Sequence, residues 1–224
     1  MTTRIIIARH GNTFTKDQTP LRVGAGTDLP LVETERGTNV GKYLKMRTII
    51  PNVVFSAPLK RTMETARLAI AALDKDIELN IDERFTEIHY GPDEGKTEEE
   101  VIARIGQKSL EEWDRAGIVP DGWTVSVDGI INQWKEFAKE VEKKYKDKTV
   151  MVVSSNGIIR FAPYLTGDFN KFSQEFNIKV GTGSVSILEK DEGDENWRVL
   201  EWGTKPKDKL VDKTAPQPIS SHIA

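Results

Sequence analysis

The sequence predicts an α/β fold built on a mostly parallel central sheet, and three observations carry that expectation. Two β-rich runs, Ile5-Ile6-Ile7-Ala8 and Thr149-Val150-Met151-Val152-Val153, each stop at a polar cluster with a glycine, as buried strands do where they meet a ligand-bearing loop. A third run, ending at Phe55, leads through Ser56-Ala57-Pro58 into a helical period. Strands that alternate with helices favour a parallel sheet, because each crossover must return over its face.

In chain order, the opening strand ends at Arg9-His10-Gly11 and is followed by a polar, glycine-containing loop over 12–30. A loop that long inside a compact domain is more often functional than idle. Val40, Tyr43 and Leu44 suggest a short helix over 34–46, and 49–55 reads as the second strand, with Pro51 near its start. Ser56 then reads as an N-cap with Pro58 in the first turn, and Leu59, Met63, Ala66, Ile70 and Leu73 recur at helical spacing. Arg61 falls in that first turn, where free backbone N–H groups and the helix dipole favour an anion.

The third strand is expected over 77–81, before a shaped loop with two glycines and a proline over 84–95. Thr97 and Glu100 form a capping box for a helix whose apolar stripe is Val101, Ile102, Ile105 and Leu110. Residues 113–123, with Gly117, Pro120 and Gly122, read as an excursion between helices. A long amphipathic helix over 127–145 turns Ile130, Ile131, Trp134, Phe137, Ala138 and Val141 inward. After 149–153 comes Ser154-Ser155-Asn156-Gly157 and a helix beginning near Ile158; 183–189 and 197–202 then form an antiparallel hairpin at the sheet edge, joined by the acidic turn 191–195. One domain over 1–203 is expected, with 204–224 a tail rich in Lys, Pro and Ser that stays mobile unless docked.

Composition narrows the function classes. A net charge of −3 gives no general basic field, so neither nucleic acid nor an anionic membrane is an expected partner, and any anion site must be local. Cysteine is absent, which removes disulfides, thiolate metal sites and a cysteine nucleophile. Histidine occurs only as His10, His89 and His222, too sparse for a zinc site. No apolar run approaches the ~20 residues of a membrane span, and the chain enters its first strand at once, so a cytoplasmic protein is expected.

Taken singly, Arg9-His10 reads as a surface cation beside a loop histidine, and Arg61 as a solvated arginine. If the strands are parallel, however, three separated segments deliver Arg9 with His10, Arg61, and Asn156 to one sheet edge. That convergence favours a site.

Arg9-His10-Gly11-Asn12-Thr13 resembles the Arg-His-Gly signature of the histidine phosphatase superfamily, also called the phosphoglycerate mutase-like family. Ser56-Ala57-Pro58-Leu59-Lys60-Arg61-Thr62-Met63-Glu64-Thr65-Ala66 resembles its Ser-x-x-Leu-x-Arg-x-x-x-Thr-Ala segment, and Glu87 to Gly95 its Glu-x-x-x-Gly-x-x-Glu-Gly segment, in the family's order. The resemblance runs from about 3 to 189. It departs at Ser155-Asn156-Gly157, where the family reads Ser-His-Gly, so that Asn156 aligns with its second active-site histidine, and no Gly-Glu-Ser element is recognisable over 120–126.

The resemblance implies a three-layer α/β/α sandwich and a phosphomonoesterase that needs no metal or cofactor. By the same carry-over, His10 is the nucleophile that forms a phosphohistidine, Glu87 the proton donor, and Arg9 and Arg61 the phosphate ligands. Asn156 becomes a neutral donor in place of a charged one. Gly11, Asn12, Thr13 and Gly157 are expected beside the substrate, a small-molecule phosphate monoester or inorganic phosphate. Two further readings stay open: a phosphate-binding regulatory module without turnover, and a mutase-type phosphotransferase. Glu111, Glu112, Asp114 and Asp121 around the excursion are expected to disfavour a highly anionic substrate.

Overall fold

The computed structural model describes residues 1–210, so residues 211–224 of the expected tail lie outside the described residues. Strand β1 (Thr2–Arg9) sits inside a six-stranded sheet with β2 (Val53–Ser56), β3 (Leu79–Ile81), β4 (Thr149–Ser154), β5 (Val185–Asp191) and β6 (Arg198–Thr204), in the order β3-β2-β4-β1-β5-β6. β3, β2, β4 and β1 run parallel, while β5 and β6 form the antiparallel hairpin expected at the edge.

Alternation along the strands divides the interior in two. Ile5, Ile7, Phe55, Val150 and Val152 face one core, and Ile6, Ala8, Val54, Met151 and Val153 the other. Helices α1 (Glu35–Met46) and α2 (Lys60–Leu73) cover the second face through Val40, Leu44, Ala66 and Ala69. Helices α3 (Glu98–Ile105), α4 (Gln107–Ala116) and α5 (Val127–Lys144) cover the first through Val101, Trp113, Trp134 and Phe137. The result is the three-layer sandwich. At Gly41 a Cβ would lie 2.2 Å from the Ala69 carbonyl oxygen, so the absent side chain is what lets α1 approach α2.

Several boundaries differ from expectation for local reasons. The second strand starts at Val53: Pro51 has no N–H to give a ladder, and Asn52 uses its side chain to accept from Thr149 N at 2.9 Å. Ser56 belongs to β2, and Leu59 in an extended conformation is the N-cap of α2. The helix expected across 97–110 breaks at Gly106, whose φ of +81° ends α3 and begins α4, although the Thr97–Glu100 capping box forms as expected. Helix α4 carries Trp113, so the excursion starts only after Gly117.

Beyond β4, helix α6 (Asn156–Ile159) is a single turn that starts two residues before the expected Ile158. Helix α7 (Phe169–Glu175), whose N-cap Asp168 accepts from Lys171 N, had no sequence assignment. The expected tail starts later than 204, because β6 runs through Thr204 and α8 (Pro206–Lys209) packs on α1. Among the described residues no helix is long and apolar enough to cross a membrane.

Candidate active site

The parallel register sets Arg9 level with Ser154, so β1 and β4 end side by side. A cleft of about 510 Å³ opens at this carboxyl edge of the sheet, and Arg9, His10, Glu87 and Asn156 all line it. Three segments separated by 69 or more positions thus meet in one pocket.

His10 is buried, and its Nδ1 lies 2.7 Å from the carbonyl oxygen of Gly11. That contact assigns the proton to Nδ1 and leaves Nε2 with a free lone pair. Burial first, then the charges of Arg9 and Arg61, hold the imidazole pKa well below 6.5. The ring is therefore neutral near pH 7. Gly11 N donates to Thr65 Oγ1 at 3.0 Å, which ties the end of β1 to α2.

Arg9 donates through Nη1 to the Val180 carbonyl, while its Nε is buried without a partner among the described residues. Arg61 is fully buried behind the pocket wall, and its terminal nitrogens donate to the carbonyls of Thr27 (2.7 Å) and Gly24 (3.1 Å). The 12–30 loop is thereby strapped to the edge. The Arg61 Nε, too, has no partner among the described residues. Burial lowers the pKa of both guanidiniums, with Glu87 opposing it.

Glu87 is buried and its pKa is raised, chiefly by burial, against the lowering effect of hydrogen bonds and the two arginines. Its Oε1 accepts from Ile88 N at 2.9 Å and its Oε2 from Gly157 N at 3.3 Å. A Cβ at Gly157 would stand 2.2 Å from Oε1, so glycine there makes room for the carboxyl group. Gly157 and Gly11 consequently back the wall instead of lining it, in contrast to their expected place beside substrate. Their constraint is close packing.

Asn156 lines the pocket as the first residue of α6, and its Oδ1 accepts from Val180 N at 2.9 Å, which leaves the amide nitrogen for the cleft. Asn12 and Thr13 lie on the wall as expected; Asn12 Oδ1 accepts from Thr182 Oγ1 at 2.6 Å.

Sequence reasoning missed part of the wall. Arg160, almost wholly buried, lies 3.8 Å over the Trp113 ring, donates to the Trp113 and Asn156 carbonyls, and is lowered by burial to about 10. Arg22 stacks on Tyr90 and Trp123. With Lys16, Lys96 and Lys179, six cations face three carboxylates across this cleft, so the expectation of an acidic surround is corrected. Of the four acidic residues named, only Asp114 reaches the pocket, and there it pairs with Lys179 and Arg160. Glu111 and Glu112 line a neighbouring groove. Sequence adjacency did not translate into facing. Among the described residues, no three His, Asp or Glu side chains gather so as to hold a metal.

Sheet and cleft together define an α/β/α sandwich with an anion-receptive pocket at the carboxyl edge of its central strands. The profile of the histidine phosphatase superfamily (branch 1) matches residues 5–205, and the chain belongs to that superfamily.

Curated relatives include the 2,3-bisphosphoglycerate-dependent phosphoglycerate mutase of Arthrobacter sp. (strain FB24), 25% identical over 76% of this chain and 68% of that one. The enzyme of the same name from Bifidobacterium longum (strain DJO10A) is 32% identical over 54% of this chain and 49% of that one, so the chain spans about half of its length. In fold, the chain is similar to mycobacterial glucosyl-3-phosphoglycerate phosphatase (TM-score 0.72, 21% identity, covering 91% of this chain and 100% of that one). It is likewise similar to a phosphoserine phosphatase mutant from Entamoeba histolytica in complex with phosphoserine (TM-score 0.69, 21% identity, covering 91% and 98%).

Proposed function

We propose that the protein is a phosphomonoesterase acting through a phosphohistidine on His10. The observation that carries this reading is His10 itself, buried between two arginines with Nδ1 tied to Gly11 and Nε2 left to attack. In the first step Nε2 bonds to phosphorus, the P–O bond to the leaving alkoxide breaks, and protonated Glu87 supplies the alkoxide's proton. In the second step Glu87 takes a proton from water as its oxygen attacks phosphorus and the P–N bond breaks, which returns His10 and releases phosphate. Arg9, which lines the cleft with its Nε unpartnered, meets the phosphoryl oxygens, whose charge spreads in the transition state, while Arg61 adds its positive charge from behind the wall, short of the direct contact the resemblance implies.

Asn156 contributes a neutral amide to this wall, where the resemblance implies a histidine. An amide keeps the hydrogen bond and lacks the charge. Phosphate release from p-nitrophenyl phosphate and from alkyl phosphates tests the proposal, with His10→Ala as the control. Turnover by the wild-type chain that His10→Ala abolishes supports it; equal turnover by both refutes it. If neither turns over but inorganic phosphate or orthovanadate binds, the reading becomes a phosphate-binding module.

A mutase-type phosphotransferase is the second reading, favoured by the curated relatives, which are named as mutases. Against it stands Ile88, which occupies the place of an arginine in the mutase's Glu-Arg-His-Tyr-Gly. Conversion of 3-phosphoglycerate to its isomer, faster than phosphate release, would establish that reading.

A further inference from the structure

We infer that Arg22 binds a second oxyanion, a carboxylate or a phosphate carried by the leaving group, and so sets which monoesters the cleft accepts. The inference rests on the phosphatase reading above and names the class of substrate for that same site.

The segment that carries Arg22 is held before any ligand arrives. Arg22 N donates to the Lys96 carbonyl and Gly95 N to the Arg22 carbonyl, both at 2.8 Å, so this part of the 12–30 loop is paired with the chain after Tyr90. The side chain lies on an aromatic shelf, its Cζ 5.2 Å from the centre of the Tyr90 ring and 5.1 Å from that of Trp123. The shelf is itself fixed: the two rings meet edge to face at 4.7 Å, and Trp123 Nε1 donates to Asp93. Rings laid against a guanidinium cover its faces and leave the N–H groups in its plane for an anion.

Those N–H groups have no taker within the protein. Arg22 lines the cleft, its Nε is buried without a hydrogen-bond partner, and no salt bridge reaches it among the described residues. Asp93, the carboxylate that fixes the shelf, is already held by Arg104 and Trp123. Other cations of the wall are matched: Lys96 pairs with Glu100, and Lys179 and Arg160 share Asp114. A guanidinium ordered in advance and left unpaired binds an anion without a further ordering cost.

Its place in the cleft decides which end of the substrate it meets. Tyr90 lies against Arg22 and turns its hydroxyl to Glu87, 3.5 Å from Oε2, so the shelf adjoins the group that protonates the leaving oxygen. The charges that act on the His10 imidazole are those of Arg9 and Arg61, whereas that of Arg22 acts on Tyr90. Arg22 therefore serves the leaving group and not the transferring phosphoryl group. A cleft of about 510 Å³ keeps that leaving group small.

Propyl phosphate, 3-phosphooxypropanoate and propane-1,3-diyl bisphosphate test the inference, since one three-carbon chain ends in a methyl group, a carboxylate or a second phosphate. Affinity for each is measured by calorimetry in His10→Ala, which cannot consume them, and kcat and KM in the chain that keeps His10. Both sets are repeated with Arg22→Met and Arg22→Lys, with melting temperature as the folding control. The chain with Arg22 should favour a charged ligand over propyl phosphate by about 10- to 100-fold, the range of one charged hydrogen-bonded contact, through KM more than kcat. Arg22→Met should remove most of that preference, and Arg22→Lys, which keeps the charge without the fork, should retain part of it. The ligand with the larger loss tells carboxylate from phosphate. No preference for either charged ligand, or one that both variants leave within twofold, overturns the inference while turnover keeps the phosphatase reading. A preference in His10→Ala that Arg22→Met removes, with no turnover by the chain that keeps His10, supports the second-oxyanion assignment and overturns the phosphatase reading.

Discussion

Burial moves His10 and Glu87 in opposite directions, and the pair's chemistry depends on both shifts. His10 must be neutral to attack, so activity falls as pH drops through its depressed pKa. Glu87 must be protonated to donate, so activity falls as pH climbs through its raised pKa. Once the substrate's own ionisation is divided out, kcat/KM should trace a bell whose acid limb lies well below 6.5 and whose alkaline limb lies above 4.5. In Glu87→Gln the alkaline limb should disappear. That variant should lose about 100-fold or more with alkyl phosphates and far less with p-nitrophenyl phosphate, whose leaving group departs without a proton. Equal losses with both would remove Glu87 as the proton donor. Gly157→Ala offers a steric version of the same test: its Cβ, 2.2 Å from the present place of Glu87 Oε1, should displace the carboxyl group and mimic Glu87→Gln.

Among the elements, those that hold the pocket loops are fixed by a few charged contacts. Asp93 is buried and accepts from Trp123 Nε1 at 2.6 Å and from Arg104, which anchors the loop after Tyr90 to α3 and to the segment before α5. Burial alone would raise its pKa; the Arg104 and Trp123 hydrogen bonds outweigh that and leave it below 3.8. Its stabilisation is therefore complete above the unfolded value and is lost as pH falls through the folded one. Asp93→Asn should cost about 1.5–3 kcal/mol in urea unfolding near pH 7, and the difference from wild type should shrink towards pH 3. A difference independent of pH would mean that the carboxylate charge is not what matters.

Elements also show what the chain makes legible. β1, β4, α5 and the Thr97 cap follow from local runs and spacing, and so does the convergence on one edge, since it needs only parallel strands. The break at Gly106 was hidden because the apolar period passes straight through it. Arg22 and Arg160 were hidden for another reason: nothing local distinguishes an arginine laid on Trp113 or Tyr90 from one in solvent. The acidic cluster at 111–121 misled because helical facing turns Glu111 and Glu112 away from the cleft.

For the molecule as a whole, a net charge of −3 surrounds a cleft in which cations outnumber carboxylates, so its attraction for anions is local. Phosphate binding only the folded state should stabilise it by about 2.7 kcal/mol at 100-fold excess over Kd. For a chain of this size that corresponds to a rise in Tm of about 5–10 °C. Chloride at equal ionic strength should leave Tm nearly unchanged, and an equal response to both salts would mean general screening. The central claim concerns covalent chemistry, and rapid-quench trapping of the enzyme during turnover of a ³²P-labelled monoester tests it most directly. Label that stays on the protein in alkali, is lost in acid, and is missing from His10→Ala is the result the account predicts. Turnover without such a species, or the same species in His10→Ala, would contradict it.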